Sequence, residues 1–194
     1  MVSFSAISLA SLQYGIRLVT PCLPFFAIIA AAGLRWIFES RGRILAGVLG
    51  AWLVTTSILA FPNEIAYFNE VAGGPANGLR YLADSNLDWG QALPQLHKEI
   101  SKRGIKNFKL CYYGTDNPYR YFSDRQMERI TAPWEAELVN GVRVYIPSPG
   151  YHAISANMLP GHFFAPEYRG FFKHFQNRTP FARAGDAIYL YKID

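Results

Sequence analysis

Along residues 18–38 and 44–61 the chain reads LVTPCLPFFAIIAAAGLRWIF and ILAGVLGAWLVTTSILAF, apolar on every side with no polar stripe. A helix that is hydrophobic all round is buried in a large core or in lipid. Each run approaches the ~20 residues needed to cross a bilayer core, so the pattern predicts two spans, 18–38 and 44–61. Pro21 and Pro24 fall in the first turns of the first span, where the backbone N–H groups have no partner to lose, and so mark a helix entry. A pair of buried helices in a soluble protein is the competing reading. A cleaved signal peptide fits worse, because there are two runs and no small-residue cleavage site follows either.

From residue 63 onward the pattern changes. Turn signals at Gly73-Gly74-Pro75 and Asn77-Gly78 lead to a short helix expected over 78–83 with Asn77 as its cap. Leu93, Leu96 and Ile100 then recur at helical spacing, Pro94 sits in the first turn, and Gly104 is placed as the stop, which predicts a helix from about residue 91. Runs rich in β-branched and aromatic residues predict strands over 108–113, 142–146, 151–156 and 187–193. Helix followed by strands defines a small α/β layer domain. The aromatic stretch PGHFFAPEYRGFFKHFQNRTPFA is read as loop, at the membrane surface or under the core. The expected fold is thus membrane α-helical, with two transmembrane helices in residues 1–62, followed by an outer-face α/β domain over 63–194.

Composition sharpens this division. Hydrophobic residues make up 51% and charged residues 17% of the 194, low in charge for a soluble chain. The connector Glu39-Ser40-Arg41-Gly42-Arg43 carries two arginines and Arg35 lies just before it. Basic short loops stay in the cytoplasm, which puts everything after residue 63 on the outer face, the periplasm in a bacterium. The net charge of +5 includes these arginines. No basic stripe with interleaved aromatics accompanies it, so nucleic acid is not an expected partner. Cys22 and Cys111 lie in a span and a strand and are not expected to bridge.

The densest chemistry lies in SNLDWGQ, residues 85–91. Here Asn86, Asp88 and Gln91 offer hydrogen-bonding groups to a sugar and Trp89 an aromatic face. The competing reading makes Asp88 a turn residue beside a core anchor. Arg17, at the outer mouth of the first span, either snorkels to the interface or forms a bidentate clamp on a phosphate. His97, His152, His162 and His174 show no ligand spacing and no metal site is expected. Ser155 lacks a nucleophile elbow and Cys111 lacks a local base, so no catalytic residue is assigned.

The segments QYGIRLVTPCLPF, IAYFNEVAGGPANGLRYLADSNLDWGQALPQL, KLCYYGT, YHAISANML and PFARAGDAIYLYKI resemble, in this order, the C-terminal portion of bacterial polyprenyl-phosphate-dependent membrane glycosyltransferases, similar to the dolichyl-phosphate-mannose-protein mannosyltransferases. The resemblance implies an inverting transfer of a sugar from a polyprenyl-phosphate donor to an acceptor on the outer face of a bacterial inner membrane. It implies an acidic base in the family's first outer loop, associated with a divalent cation. That loop is expected to precede this chain or to reside on a separate chain with the other spans, and Asp88 is not its equivalent. A non-catalytic membrane-anchored module that binds a glycan or a protein is the alternative.

Overall fold

The computed structural model describes residues 20–40, 42–81, 87–136, 138–139, 141–161 and 164–194. The chain forms two compact units, Met1–Glu64 and Ile65–Asp194.

The first unit is a pair of apolar helices, α1 (Leu23–Glu39) and α2 (Arg43–Ala60). Pro24 occupies the first turn of α1, as its fixed φ favours, and Pro21 lies in the preceding 3-10 turn Thr20–Cys22. The connector is tight. The Ser40 N–H donates to the Trp36 carbonyl and the Gly42 N–H to that of Ile37, both at 2.9 Å. A Cβ on Gly42 would lie 2.7 Å from Ile37 Cγ2 and from its carbonyl oxygen, so glycine is what lets the chain turn here. Arg35 pairs with Glu39 at 2.8 Å and Arg43 lies over the Phe38 ring, which settles the polar groups at this end. Where the helices face each other, Ala31, Ala46 and Gly47 line a cleft of about 410 Å³ together with Leu34, Arg35 and Phe38. Small residues at such a crossing let two backbones approach.

Both helices are long and apolar enough to cross a membrane. No residue of α1 is buried, and only Ala46 of α2 is.

The second unit is a mixed five-stranded sheet with helices. Its elements are α3 (Gly78–Tyr81), α4 (Leu93–Lys102), β1 (Phe108–Cys111), β2 (Met127–Arg129), β3 (Leu138–Val139), β4 (Val142–Arg143), β5 (Gly150–Ser155), α5 (Lys173–Gln176), β6 (Ala182–Ala184) and β7 (Ile188–Ile193). The sheet order is β2-β1-β5-β7-β6, with β3 and β4 forming a separate ribbon. β1 runs parallel to both β2 and β5, while β7 runs antiparallel to β5 and β6.

The side-chain period of two sorts β7 cleanly between the faces. Ile188 and Leu190 join α4, through Leu93, Leu96 and Ile100, together with Phe108, Leu110 and Ala153 in one core. Tyr189, Tyr191 and Ile193 join Ile154, Phe171, Phe172 and Phe175 in a second core on the other face. The register fixes this arrangement, pairing Ala153 with Leu190 and Ile154 with Tyr189. The aromatic stretch expected as loop therefore lies under the sheet. Phe171, Phe172 and Phe175 are fully buried there, and part of the stretch forms α5.

α4 begins at Leu93, with Pro94 in its first turn. It ends as Gly104 predicts: Gly104 has φ +63°, its N–H donates to Ser101 and the Ile105 N–H to Ile100, a left-handed stop with Ile105 buried. α3 differs from expectation in one respect. Asn77 does not cap it; its side-chain amide donates back to the Gly73 carbonyl at 2.9 Å, and α3 is described only to Tyr81.

Candidate functional site

Strands β1, β2 and β5 are mutually parallel, so their carboxyl ends lie at one edge of the sheet, where open α/β sheets offer ligands a rim. The loop 87–91 packs on that edge. Leu87 and Asp88 are fully buried, Gly90 is buried, and Trp89 between them is 50% exposed.

The reason is visible in the hydrogen bonds. The Asp88 carboxylate accepts the Gly90 N–H at 2.7 Å, an Asx turn that points the carboxylate inward and the indole outward. The Ser155 hydroxyl at the end of β5 accepts the Tyr113 N–H at 3.0 Å and hydrogen-bonds Asp88 in turn. Asn157 donates from Nδ2 to the Asp88 carbonyl at 2.9 Å, and the Tyr112 hydroxyl donates to the Gly90 carbonyl at 2.7 Å. Gly90, at φ +87°, meets Gly114 at φ +153° so closely that a Cβ on Gly90 would stand 2.7 Å from Gly114 Cα and would collide with the Tyr112 hydroxyl. Both positions need glycine. The loop is thereby tied to the ends of β1 and β5 at once.

Burial of Asp88 pushes its carboxyl up to about 6, the Gly90 and Ser155 hydrogen bonds pulling it part of the way back. Its Oδ2 has no partner, and neither has the buried Asn157 Oδ1. The upward shift suits that arrangement, because burying the anion costs more than burying the acid.

Of the residues expected to converge on a sugar, the described three, Asp88, Trp89 and Gln91, point in different directions. Asp88 faces the interior. Gln91 is occupied by its own loop, accepting the Trp89 N–H at 2.7 Å and donating to the Leu87 carbonyl at 3.1 Å. Trp89 alone of the described three presents its side chain outward. Asn86 and Arg17 lie outside the described residues. Asp88 and Gln91 thus turn toward their own loop while Trp89 turns outward, because a carboxylate that completes an Asx turn is oriented by the backbone it caps.

Sequence reasoning weighed Ser155 only as a nucleophile and did not single out Asn157. Both are fully buried, Ser155 at the end of β5 after the apolar run Ala153-Ile154 and Asn157 in the 3-10 turn Ala156–Met158 that follows, and a polar pair directly after a core run was the available signal. In the loop that follows β1, Asp116 accepts from Arg120 at 3.4 Å and from the Tyr121 hydroxyl at 3.2 Å. Tyr119 is 47% exposed there.

A second buried polar group lies under the sheet. His152 is 1% exposed, packed between Tyr145 and Phe175 with ring centroids 5.8 and 5.5 Å away, and neither ring nitrogen has a partner. Burial pulls it down to about 4, with Lys109 and His174 adding to the effect and Glu128 opposing it. Among the described residues no three His, Cys, Asp or Glu side chains gather as a metal site would.

Comparison with protein-family models, with curated proteins and with solved structures finds no match. Fold and site together define a class: an apolar helix pair followed by a mixed α/β unit with an aromatic rim at the carboxyl end of its parallel strands.

Proposed function

We propose that this chain is the C-terminal part of an integral-membrane glycosyltransferase that transfers a sugar from a polyprenyl-phosphate donor to an acceptor on the outer face of a bacterial inner membrane. One observation carries the membrane half of the reading: among the described residues nothing covers most of the apolar surface of α1 and α2. Phe25, Ile28, Ile29, Ile44, Leu53 and Leu59 are each 66% exposed or more. Leaving six such side chains in water forgoes on the order of 10 kcal/mol, as much as the whole stability of an ordinary domain, about 5–15 kcal/mol. Lipid removes that penalty. Thr56 and Ser57 fit it too, because both hydroxyls fold back onto the Leu53 carbonyl, at 3.0 and 2.8 Å, and leave no donor facing outward.

The transferase half rests on the segments that resemble the glycosyltransferases and on the exposed Trp89, an aromatic plane of the kind that receives the apolar face of a sugar. Arg17 contributes a guanidinium fork to the donor phosphate, whose negative charge grows as the glycosidic bond to it breaks. An acceptor hydroxyl attacks the anomeric carbon from the opposite side and its proton passes to a base. Asp88 is not that base, because its carboxylate is buried in the turn.

The test supplies a radiolabelled polyprenyl-phosphate sugar in membranes to this chain alone, then to the chain with a partner carrying further spans and an acidic outer loop. Transfer in either arm is the expected result; none in both removes the enzymatic reading. Arg17→Ala is expected to weaken donor binding by ~2 kcal/mol, the worth of one hydrogen bond to a charged group. Unchanged affinity returns Arg17 to simple snorkelling. The inward carboxylate of Asp88 favours one second reading, a membrane-anchored module that binds a glycan through Trp89 without acting on it. In that case a labelled glycan is retained, Trp89→Ala abolishes retention, and no transfer occurs.

A further inference from the structure

The segment that opens the second unit has two sides of opposite character. Ala66 and Gly78 are buried in the unit, and Phe68 presses on Gly78 so closely that a Cβ there would lie 2.5 Å from its ring. Between and beside these anchors, Ile65, Tyr67, Val71 and Tyr81 turn outward, 44%, 39%, 90% and 61% exposed. The local structure is built to hold them there. Asn69 caps the 3-10 turn Glu70–Ala72 by accepting the Ala72 N–H at 3.0 Å, Gly73 closes that turn at φ +80°, and Val71 stands at its tip. Tyr81 stacks on Phe68 with centroids 6.5 Å apart, which braces the far end of the segment against its start. Neither core of the unit uses these four side chains.

Chain continuity says what covers them. Ile65 follows the last residue of α2, Ala60, by five positions, a reach of at most ~18 Å even when fully extended. The headgroup zones add roughly 5–8 Å on each side of the hydrocarbon core. If α2 spans, this segment begins at or just above the headgroups. Tyrosine with an apolar body and a polar tip is enriched in that zone, and isolated Ile and Val side chains find the acyl boundary within reach. From Ile65 to Tyr81 the charges are Glu70 and Arg80, which cancel. That balance offers no attraction to an anionic surface and suits a zwitterionic headgroup.

We propose that Ile65, Tyr67, Val71 and Tyr81 form an interfacial collar that lies in the headgroup layer of a zwitterionic phospholipid bilayer. The proposal rests on α2 being a membrane span. The experiment uses the full chain in phosphatidylethanolamine-containing nanodiscs, with Cys22→Ala and Cys111→Ala as background and one fluorophore-labelled cysteine at a time, at Val71, at Leu53 in α2, or at the exposed Lys102 in α4. Lipids carrying a nitroxide near the headgroup are expected to quench the Val71 label at least about two-fold more than the Lys102 label, while lipids labelled deep in the chain quench Leu53. Equal quenching at Val71 and Lys102 with Leu53 still quenched overturns the collar and leaves the span intact. No quenching at Leu53 overturns both. Protection of Val71 only when two copies share a disc assigns the patch to a second copy and also overturns the lipid assignment.

Discussion

Asp88 and His152 place two buried titratable groups of opposite sign in one α/β unit, and their effects on stability run against each other. Asp88 rises from an ordinary 3.8 to about 6, so between those values the folded state holds a proton that the unfolded chain has lost, and stability increases as pH falls. His152 drops from 6.5 to about 4, so over that window the unfolded chain holds a proton that the folded state refuses, and stability decreases as pH falls. Each slope is about 1.4 kcal/mol per pH unit, and they overlap between about pH 4 and 6. The contributions of these two groups should therefore nearly cancel there. Asp88→Asn keeps an acceptor for the Gly90 N–H and should leave stability falling with acid at roughly that slope. His152→Phe, in its aromatic surroundings, should leave stability rising with acid. Urea unfolding followed by tryptophan fluorescence at pH 4, 5 and 6 reads both; parallel profiles for the two variants would contradict the burial assigned to these side chains. Gly90→Ala tests the loop itself. A positive φ costs a side chain about 1–2 kcal/mol, and the contacts with Gly114 and Tyr112 add to it, so a loss of about 2–4 kcal/mol is expected in the same unfolding assay.

At the scale of elements, what the sequence displays depends on how strongly a single periodicity governs the segment. α4 is long enough for it to dominate and also carries its stop signal in Gly104, while α1 and α2 are legible by unbroken apolar length alone. β1, β5 and β7 announce themselves because two faces are buried at once, which fills them with apolar and aromatic side chains. β2 and β6 do not. Each spans three residues at a sheet edge, and Met127-Glu128-Arg129 and Ala182-Arg183-Ala184 carry charges where an edge strand meets water. The ribbon β3–β4 is shorter still: β4 falls within the strand expected over 142–146 but keeps only Val142–Arg143 of it, and the two residues of β3 are too few to show a period. Lys173–Gln176 was hidden for another reason: its aromatic residues pack under the sheet from a chain of short turns, where no period repeats. The SNLDWGQ loop was recognisable as a turn with an indole, but the direction of Asp88 was not, because Ser155 and Asn157 reach it from 67 and 69 residues further along the chain. The aromatic layer makes a direct prediction. Phe172→Ala should cost about 3–5 kcal/mol and Leu96→Ala, on the opposite face, about 2–5 kcal/mol. If both cores belong to one cooperative unit, each variant should shift the whole unfolding transition rather than split it, and a biphasic curve in either would show two independent layers.

For the whole molecule the decisive property is which side of a membrane each unit occupies. Arg35, Arg41 and Arg43 cluster around one short connector, and moving such a connector across a bilayer during insertion opposes both the cost of desolvating arginine and the membrane potential. If α1 and α2 span as proposed, the orientation expected is connector inside and α/β unit outside. A cysteine at Ser40 reports the connector and one at Lys102 reports the α/β unit; both positions are exposed, and neither bears on a core. In intact spheroplasts a membrane-impermeant maleimide should label Lys102→Cys and spare Ser40→Cys, and in inverted membrane vesicles the pattern should reverse. Reversing the charge bias supplies the causal arm. Arg35, Arg41 and Arg43 replaced together by Glu should lower the fraction of chains with Lys102→Cys accessible from outside, since Asp and Glu contribute little to orientation whereas the lost cations contribute most of it. If Lys102→Cys is protected in spheroplasts from the start, the α/β unit faces the cytoplasm and an outer-face acceptor is ruled out. If the chain stays in the supernatant after high-speed centrifugation without detergent, α1 and α2 bury their apolar faces against protein, and the membrane reading falls with everything built on it.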